Sequence, residues 1–170
     1  MRTPLLTLAA ALALTACATP SGPSASAQLQ PTRGNSTSGE VRFVQHGDKV
    51  RVSGEIRGLK PGAEHGFHVH DKGDCSSGDG MSTGGHYNPG GRKHGAHGQG
   101  EHHAGDLPSL RADANGVARF SFESRTIAVG SGNTDIVGRG LIVHRDPDDY
   151  TTQPTGNSGP RLACAVITRS

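Results

Sequence analysis

The sequence predicts an all-β fold, an antiparallel sandwich or barrel interrupted by long loops. Three observations carry that expectation. Glycine makes up 26 of 170 residues, about twice the usual ~7%. Short segments alternate apolar and polar side chains with the period of two that a half-buried strand requires. No stretch carries a long amphipathic-helix pattern, and tryptophan is absent. A formal net charge of +2 with scattered Lys and Arg offers no basic stripe for nucleic acid. Any electrostatic role is therefore local.

At the N-terminus, Met1-Arg2 precedes an apolar run from Leu5 to Ala16. The run is too short to span a bilayer and has the layout of a secretory signal, so residues 1–16 read as a signal peptide. It ends in "LTAC", Leu14 to Cys17, which resembles a bacterial lipobox and implies a lipidated Cys17. An ordinary secretory signal with an incidental cysteine is the alternative. Residues 17–38 are rich in Ser, Pro, Ala, Gly and Thr. That is the composition of a disordered tether, with a reach of roughly 25 Å. The folded domain is expected over 39–170. With Cys17 set aside, Cys75 and Cys164 remain. An even pair in an exported domain is a disulfide candidate, with two buried free thiols as the alternative.

The strands follow in order. "EVRFVQHGDKVRVSGEIRGL", Glu40 to Leu59, reads as two strands joined at "HGD", with Val41, Phe43, Val50 and Val52 marking one face. "GFHVH", Gly66 to His70, is a short strand. "VARFSFES" follows an "ANG" turn and alternates Val117, Arg119 and Ser121 against Ala118, Phe120 and Phe122. "GLIVH" and "LACAVI" are apolar runs long enough for buried strands. Short strands with turn signals fit a sheet closed to hide its edges. Two long loops remain, 71–108 and 145–160, and loops of that length in a compact domain are usually functional.

Five of the ten histidines lie in "GGHYNPGGRKHGAHGQGEHHAGD", Gly84 to Asp106. This segment has too few apolar residues to offset the entropy of ordering it. Metal binding would replace the missing core. His86, His94, His103 and Asp106 form a three-histidine, one-carboxylate set that suits zinc, with a solvated tract binding metal loosely as the alternative. His68 and His70 are two apart on a strand, so they face one side and can share an ion. His144 ends a second strand. His46 and His65 read as surface residues. His97 and His102 read as polar fillers of the loop, with alternative zinc positions or metal collection as further readings.

"GFHVHDKGDC", "GGHYNP", "HHAGDLP", "GRGLIVHRDPDDY" and "TGNSGPRLACAVI" together resemble copper–zinc superoxide dismutase in its bacterial exported form, from about Gly39 to the end. The resemblance implies a Greek-key sandwich or barrel. It implies copper on His68, His70, His86 and His144, and zinc on His86, His94, His103 and Asp106, with His86 shared. It places Arg161 as the residue that guides and anchors the superoxide anion, and His86 as a catalytic ring that hands a proton to the product. Asp148 is implied as the carboxylate that orients His68 and His94, and Cys75–Cys164 as the disulfide. The implied reaction converts two superoxide anions to dioxygen and hydrogen peroxide through Cu(II)/Cu(I) cycling, with structural zinc. The implied setting is antioxidant defence in the cell envelope, periplasmic and membrane-anchored through the lipid. The sequence leaves the oligomeric state open, a homodimer among the options. Pro160 departs from the family, which usually has Gly before the arginine, and puts the aim of Arg161 in question because proline fixes φ and lacks an N–H. A metal buffer would not need His144 and Arg161 so far along the chain. A zinc hydrolase would need an open metal position.

Overall fold

A computed structural model describes residues 22–170. The apolar run Leu5 to Ala16 and Cys17, with the signal and lipidation readings placed on them, lie outside the described residues. Ten strands run in chain order: β1 Ser24–Pro31, β2 Ser38–His46, β3 Lys49–Arg57, β4 Glu64–His65, β5 Phe67–His70, β6 Leu110–Arg111, β7 Ala118–Ser124, β8 Gly140–His144, β9 Arg161–Val166 and β10 Thr168–Arg169. One turn of 3-10 helix, Met81–Thr83, interrupts the first long loop.

Eight strands form one curled antiparallel sheet in the order β5-β8-β9-β1-β2-β3-β7, with β10 pairing β1, while β4 and β6 pair apart. The non-sequential neighbours are those of a Greek-key barrel. The alternation seen in the sequence sets the register: Phe43 lies opposite Val52, and Gln45 opposite Val50. Val41, Phe43, Val50 and Val52 are all fully buried. β5 and β8 are buried throughout, and β9 is buried at Ala163, Cys164 and Ala165.

The boundary expected at residue 39 moves. Ser24–Pro31 is a strand, not a tether, and it joins the two halves of the sheet. Its Ser24–Leu29 segment pairs with β2, and Gln30 and Pro31 pair with Cys164 and Ala163 of β9. Ala25, Ala27 and Leu29 point into the core. Their neighbours Ser24, Ser26, Gln28 and Gln30 are half-buried or exposed. The strand looked like linker because its inward residues are mostly alanine, a weak apolar signal.

Past β1, the Thr32 hydroxyl donates to the Arg161 carbonyl at 2.6 Å, so the N-terminal segment also braces the start of β9. Cys75 and Cys164 form a disulfide that ties the first long loop to β9. That loop also docks by backbone and core contacts. Val69 N–H donates to Gly105, Tyr87 N–H to Val69, and Gly105 N–H to Tyr87. Tyr87 and Leu107 enter the core, and the Tyr87 hydroxyl donates to the Asn133 carbonyl at 2.6 Å.

Leu29→Ala is expected to destabilise the domain by about 2–5 kcal/mol, the usual cost of a buried Leu→Ala change. Denaturant unfolding measures it. A tether would show no change.

Candidate metal centre

His68, His70, His86 and His144 bring one ring nitrogen each to a common point. His86, His94, His103 and Asp106 do the same around a second point. Within each group the donor atoms lie within 4.8 Å of one another, and all seven residues are buried. β5 delivers His68 and His70, β8 delivers His144, and the first long loop delivers the rest. His86 and Asp106 reach β5 because the loop returns beside it, His70 bridging to His86 and His68 to Asp106.

Three rings of the first group are aimed by their other nitrogen. In the first group, His68 Nε2 bonds Asp148 at 2.8 Å. His70 Nδ1 donates to the Gly84 carbonyl at 2.9 Å, and His144 Nδ1 donates to the Gly159 carbonyl at 3.1 Å. This leaves His68 Nδ1 and His86 Nε2 buried with no partner, and the Nε2 atoms of His70 and His144 facing each other at 3.4 Å. Burial, then the neighbouring rings His86 and His144 and the charge of Arg161, hold His70 well below the usual histidine range. Burial, then His68, does the same to His144. Burial also lowers His86, to about 4, against the opposing pull of Asp106. All three rings therefore favour the neutral form that a metal binds.

In the second group Asp106 is central. Its carboxylate contacts His86 Nδ1 at 2.7 Å, His94 Nδ1 at 3.0 Å and His103 Nδ1 at 3.3 Å. It also accepts the backbone N–H groups of Gly95 and His103. Burial would raise Asp106, but the three rings outweigh it and hold the carboxyl far below its usual range. Burial would lower His94, but Asp106 and Asp148 overcome it and lift the ring to about 9. The two carboxylates thus favour positive charge at this point.

Asp148 links the groups: one oxygen bonds His68, and the other lies 3.2 Å from His94 Nε2. Ser158 donates to Asp148 at 2.9 Å. The Gln153 side chain brackets His94, accepting from its N–H and donating to its carbonyl, each at 2.9 Å.

Arg161 stands beside the first group. Nη1 donates to the Gly80 carbonyl at 2.5 Å and to Thr83 Oγ1 at 2.7 Å, and Nη2 donates to the Gly84 carbonyl at 2.7 Å. The Gly84 carbonyl therefore holds both the guanidinium and the His70 ring. Pro160 does not disturb this aim. The Pro160 carbonyl accepts from Arg145 N–H, and Gly159 takes a positive φ that still lets its carbonyl meet His144.

Residues 37–167 match the copper/zinc superoxide dismutase family. The chain belongs to that family. It is 44% identical over 135 residues to the "Superoxide dismutase [Cu-Zn]" of Paramecium bursaria Chlorella virus 1, a span covering 76% of this chain and 71% of the relative. Its fold is similar to the crystal structure of the clock protein EA4, with a TM-score of 0.79, 38% identity and coverage of 91% of this chain and 99% of the other. Superoxide dismutation, with copper and zinc as cofactors, follows from membership of the superoxide dismutase family.

The two groups fit those metals. Nitrogens facing each other at 3.4 Å are poorly placed to bond one another. That distance is close to the ~3.3 Å edge of a tetrahedron with metal–nitrogen bonds of about 2.0–2.1 Å. The four remaining histidines behave variously. His46 is exposed as expected. His65 is not on the surface: it is fully buried, because β4 turns it inward, and its Nδ1 donates to the His144 carbonyl at 2.9 Å. His97 and His102 lie outside both groups. The sequence reading also missed Gln153, Gly156 and Ser158. Gly156 and Ser158 fall inside "TGNSGPRLACAVI" without any role being read for them, and Gln153 was signalled only by the unusual length of the loop over 145–160.

Gly156 backs directly onto the Asp148–His94 contact, where an added Cβ would collide with Asp148 Oδ1 and His94 Nε2, and its φ is 67°. Gly156→Ala is expected to weaken retention of the metal bound by His94 by about tenfold or more, the usual scale for disturbing a ligand's support. Metal analysis after dialysis against a chelator measures it.

Proposed function

We propose that this superoxide dismutase holds copper on His68, His70, His86 and His144, holds zinc on His86, His94, His103 and Asp106, and works in the cell envelope as a lipid-anchored protein. The observation that carries the metal assignment is His86. Its two nitrogens face different groups, Nδ1 towards Asp106 and His103 and Nε2 towards the histidines of β5 and β8. The carboxylate-containing group suits zinc, and the all-imidazole group suits copper.

Bound copper supplies the one-electron couple that the reaction needs, and zinc, which has no redox chemistry, does not. The protein's own contribution is charge, orientation and a proton. Arg161 carries a permanent positive charge and is fixed by three hydrogen bonds next to His70. It draws superoxide in and orients it there. Asp148 keeps His68 and His94 in the tautomers that leave Nδ1 of each ring for metal. His86 Nε2 would carry a proton only while released from copper, and would then pass it to the product. Cys75–Cys164 secures the loop that carries the Arg161 acceptors Gly80, Thr83 and Gly84.

The envelope reading draws on the apolar run ending at Cys17 and on the disulfide, a bond that persists in oxidising compartments. Because β1 begins at Ser24, an extended chain from Cys17 reaches about 25 Å at most. The domain would sit close to the bilayer rather than on a long leash.

Arg161→Ala is expected to leave copper and zinc content unchanged and to slow the second-order rate. Arg161→Lys keeps much of the rate, and Arg161→Glu is slower than Ala because it repels the anion. Salt slows the wild type more than Arg161→Ala, since screening acts over ~10 Å at 0.1 M. Superoxide decay at fixed metal content checks the ranking; a Glu variant faster than Ala removes Arg161 from the guiding role. Separately, Cys17→Ser is expected to move the enzyme from the membrane to the soluble fraction with unchanged specific activity. A membrane-bound Cys17→Ser protein rejects the lipid anchor.

A further inference from the structure

The zinc-group loop between His94 and Asp106 carries two histidines, His97 and His102, that face neither metal position. Both are nevertheless committed to the site. His97 Nδ1 lies 2.8 Å from the carbonyl oxygen of Asp106. His102 Nδ1 lies 2.7 Å from the carbonyl oxygen of His103. A carbonyl only accepts, so each Nδ1 carries the proton and donates. His102 Nε2 accepts the backbone N–H of Gly98 at 3.1 Å. Both nitrogens of His102 are thereby occupied inside the loop. The ring is buried and lies 5.4 Å from that of His97. His97 in turn sits edge-on to Phe122 of β7 at 5.9 Å.

The two carbonyls held in this way belong to two of the four zinc-group residues. The same two residues form the turn in which Asp106 N–H donates to the His103 carbonyl at 3.3 Å. His103 N–H and Gly95 N–H close the turn from the other side onto the Asp106 carboxylate. The segment from Gly95 to Glu101 contributes three glycines, Gly95, Gly98 and Gly100, and little else to restrict it. A glycine-rich backbone loses the most entropy on ordering. Two imidazoles that each pin a ligand's own peptide group reduce that cost before metal arrives.

We infer that His97 and His102 are positioning residues that preorganise the zinc half of the site by fixing the backbones of Asp106 and His103, and that neither is a ligand. The inference rests on assigning zinc to the His86–His94–His103–Asp106 group. The tautomer of His102 argues against metal capture, because a ligand role would break the Gly98 bond or the His103 bond. His97 anchors the loop to the barrel through Phe122, whereas His102 closes the loop on itself.

The test is zinc release from the copper- and zinc-loaded protein to a colorimetric chelator, with copper retention followed in the same samples. His97→Ala and His102→Ala are expected to release zinc about tenfold faster, the lower end of the range for residues that support metal ligands, with copper retained and one zinc per chain at the start. His97→Asn restores the wild-type rate, because the asparagine amide places an N–H where Nδ1 stood. His102→Asn is intermediate, since it keeps the donor and loses the acceptor for Gly98. His94→Ala serves as the control for the underlying assignment and is expected to lose zinc outright. Wild-type release from both Ala variants, with zinc lost from His94→Ala, overturns the inference and leaves the assignment standing. Zinc retained by His94→Ala overturns both. Parallel loss of copper and zinc from the Ala variants marks general destabilisation and overturns the inference. So does more than one zinc per wild-type chain that falls to one when both histidines are removed.

Discussion

One imidazole with no nitrogen to spare governs the arrangement. His86 belongs to both donor groups, so it cannot be aimed, as His70 and His144 are, by giving one nitrogen to a backbone carbonyl. Its orientation comes from its surroundings instead. The His68 ring stacks on it at 3.9 Å, and Asp106 contacts its Nδ1. Asp106 must then be rigid in its own right, and two backbone N–H groups and the turn from His103 make it so. The loop must also return to β5 after a long excursion, which the bonds among Val69, Tyr87 and Gly105 accomplish. The disulfide, the docking of Tyr87 and the pinning by His97 and His102 all serve to bring a core-poor segment back to one place.

The same packing explains the electrostatics. Six imidazoles and two carboxylates are buried together, an arrangement that is costly unless positive charge is shared among them. In the group of His68, His70, His86 and His144, burial and neighbouring positive charge lower His70, His86 and His144. In the group around Asp106, the carboxylates Asp106 and Asp148 instead raise His94. Two neighbouring sites built from nearly the same side chains thus differ in charge because one contains a carboxylate and the other faces Arg161. On the proposed assignment, the substrate anion approaches the first group and zinc is held by the second.

Much of this was legible in the sequence, for physical reasons that vary by residue. Strands β2, β3, β5, β7, β8 and β9 announce themselves through alternation or unbroken apolar runs. His68 and His70 follow from strand periodicity alone. The loop histidines stand out because a glycine-rich segment with no core needs another source of order. The zinc set was read from the loop's own residues and the copper set came through resemblance, and the geometry brings the residues of each together. β1 was hidden because alanine at its inward positions, among Ser and Gln, reads as linker composition. His65 was misread because a two-residue strand gives no period to show which way it faces. Gln153, Gly156 and Ser158 act through backbone placement and single hydrogen bonds, which leave no pattern in one sequence. Pro160 looked capable of misdirecting Arg161. Its effect is absorbed because the guanidinium is held from the opposite side by Gly80, Thr83 and Gly84.

The sharing of His86 is tested most directly by the copper spectrum of the loaded protein with zinc present and after selective zinc removal, in wild type and in His86→Ala. If one ring joins the two metals, zinc removal shifts the wild-type copper spectrum. His86→Ala still binds copper through His68, His70 and His144, with an altered spectrum that no longer responds to zinc. A copper spectrum in His86→Ala identical to that of the wild type would contradict the account.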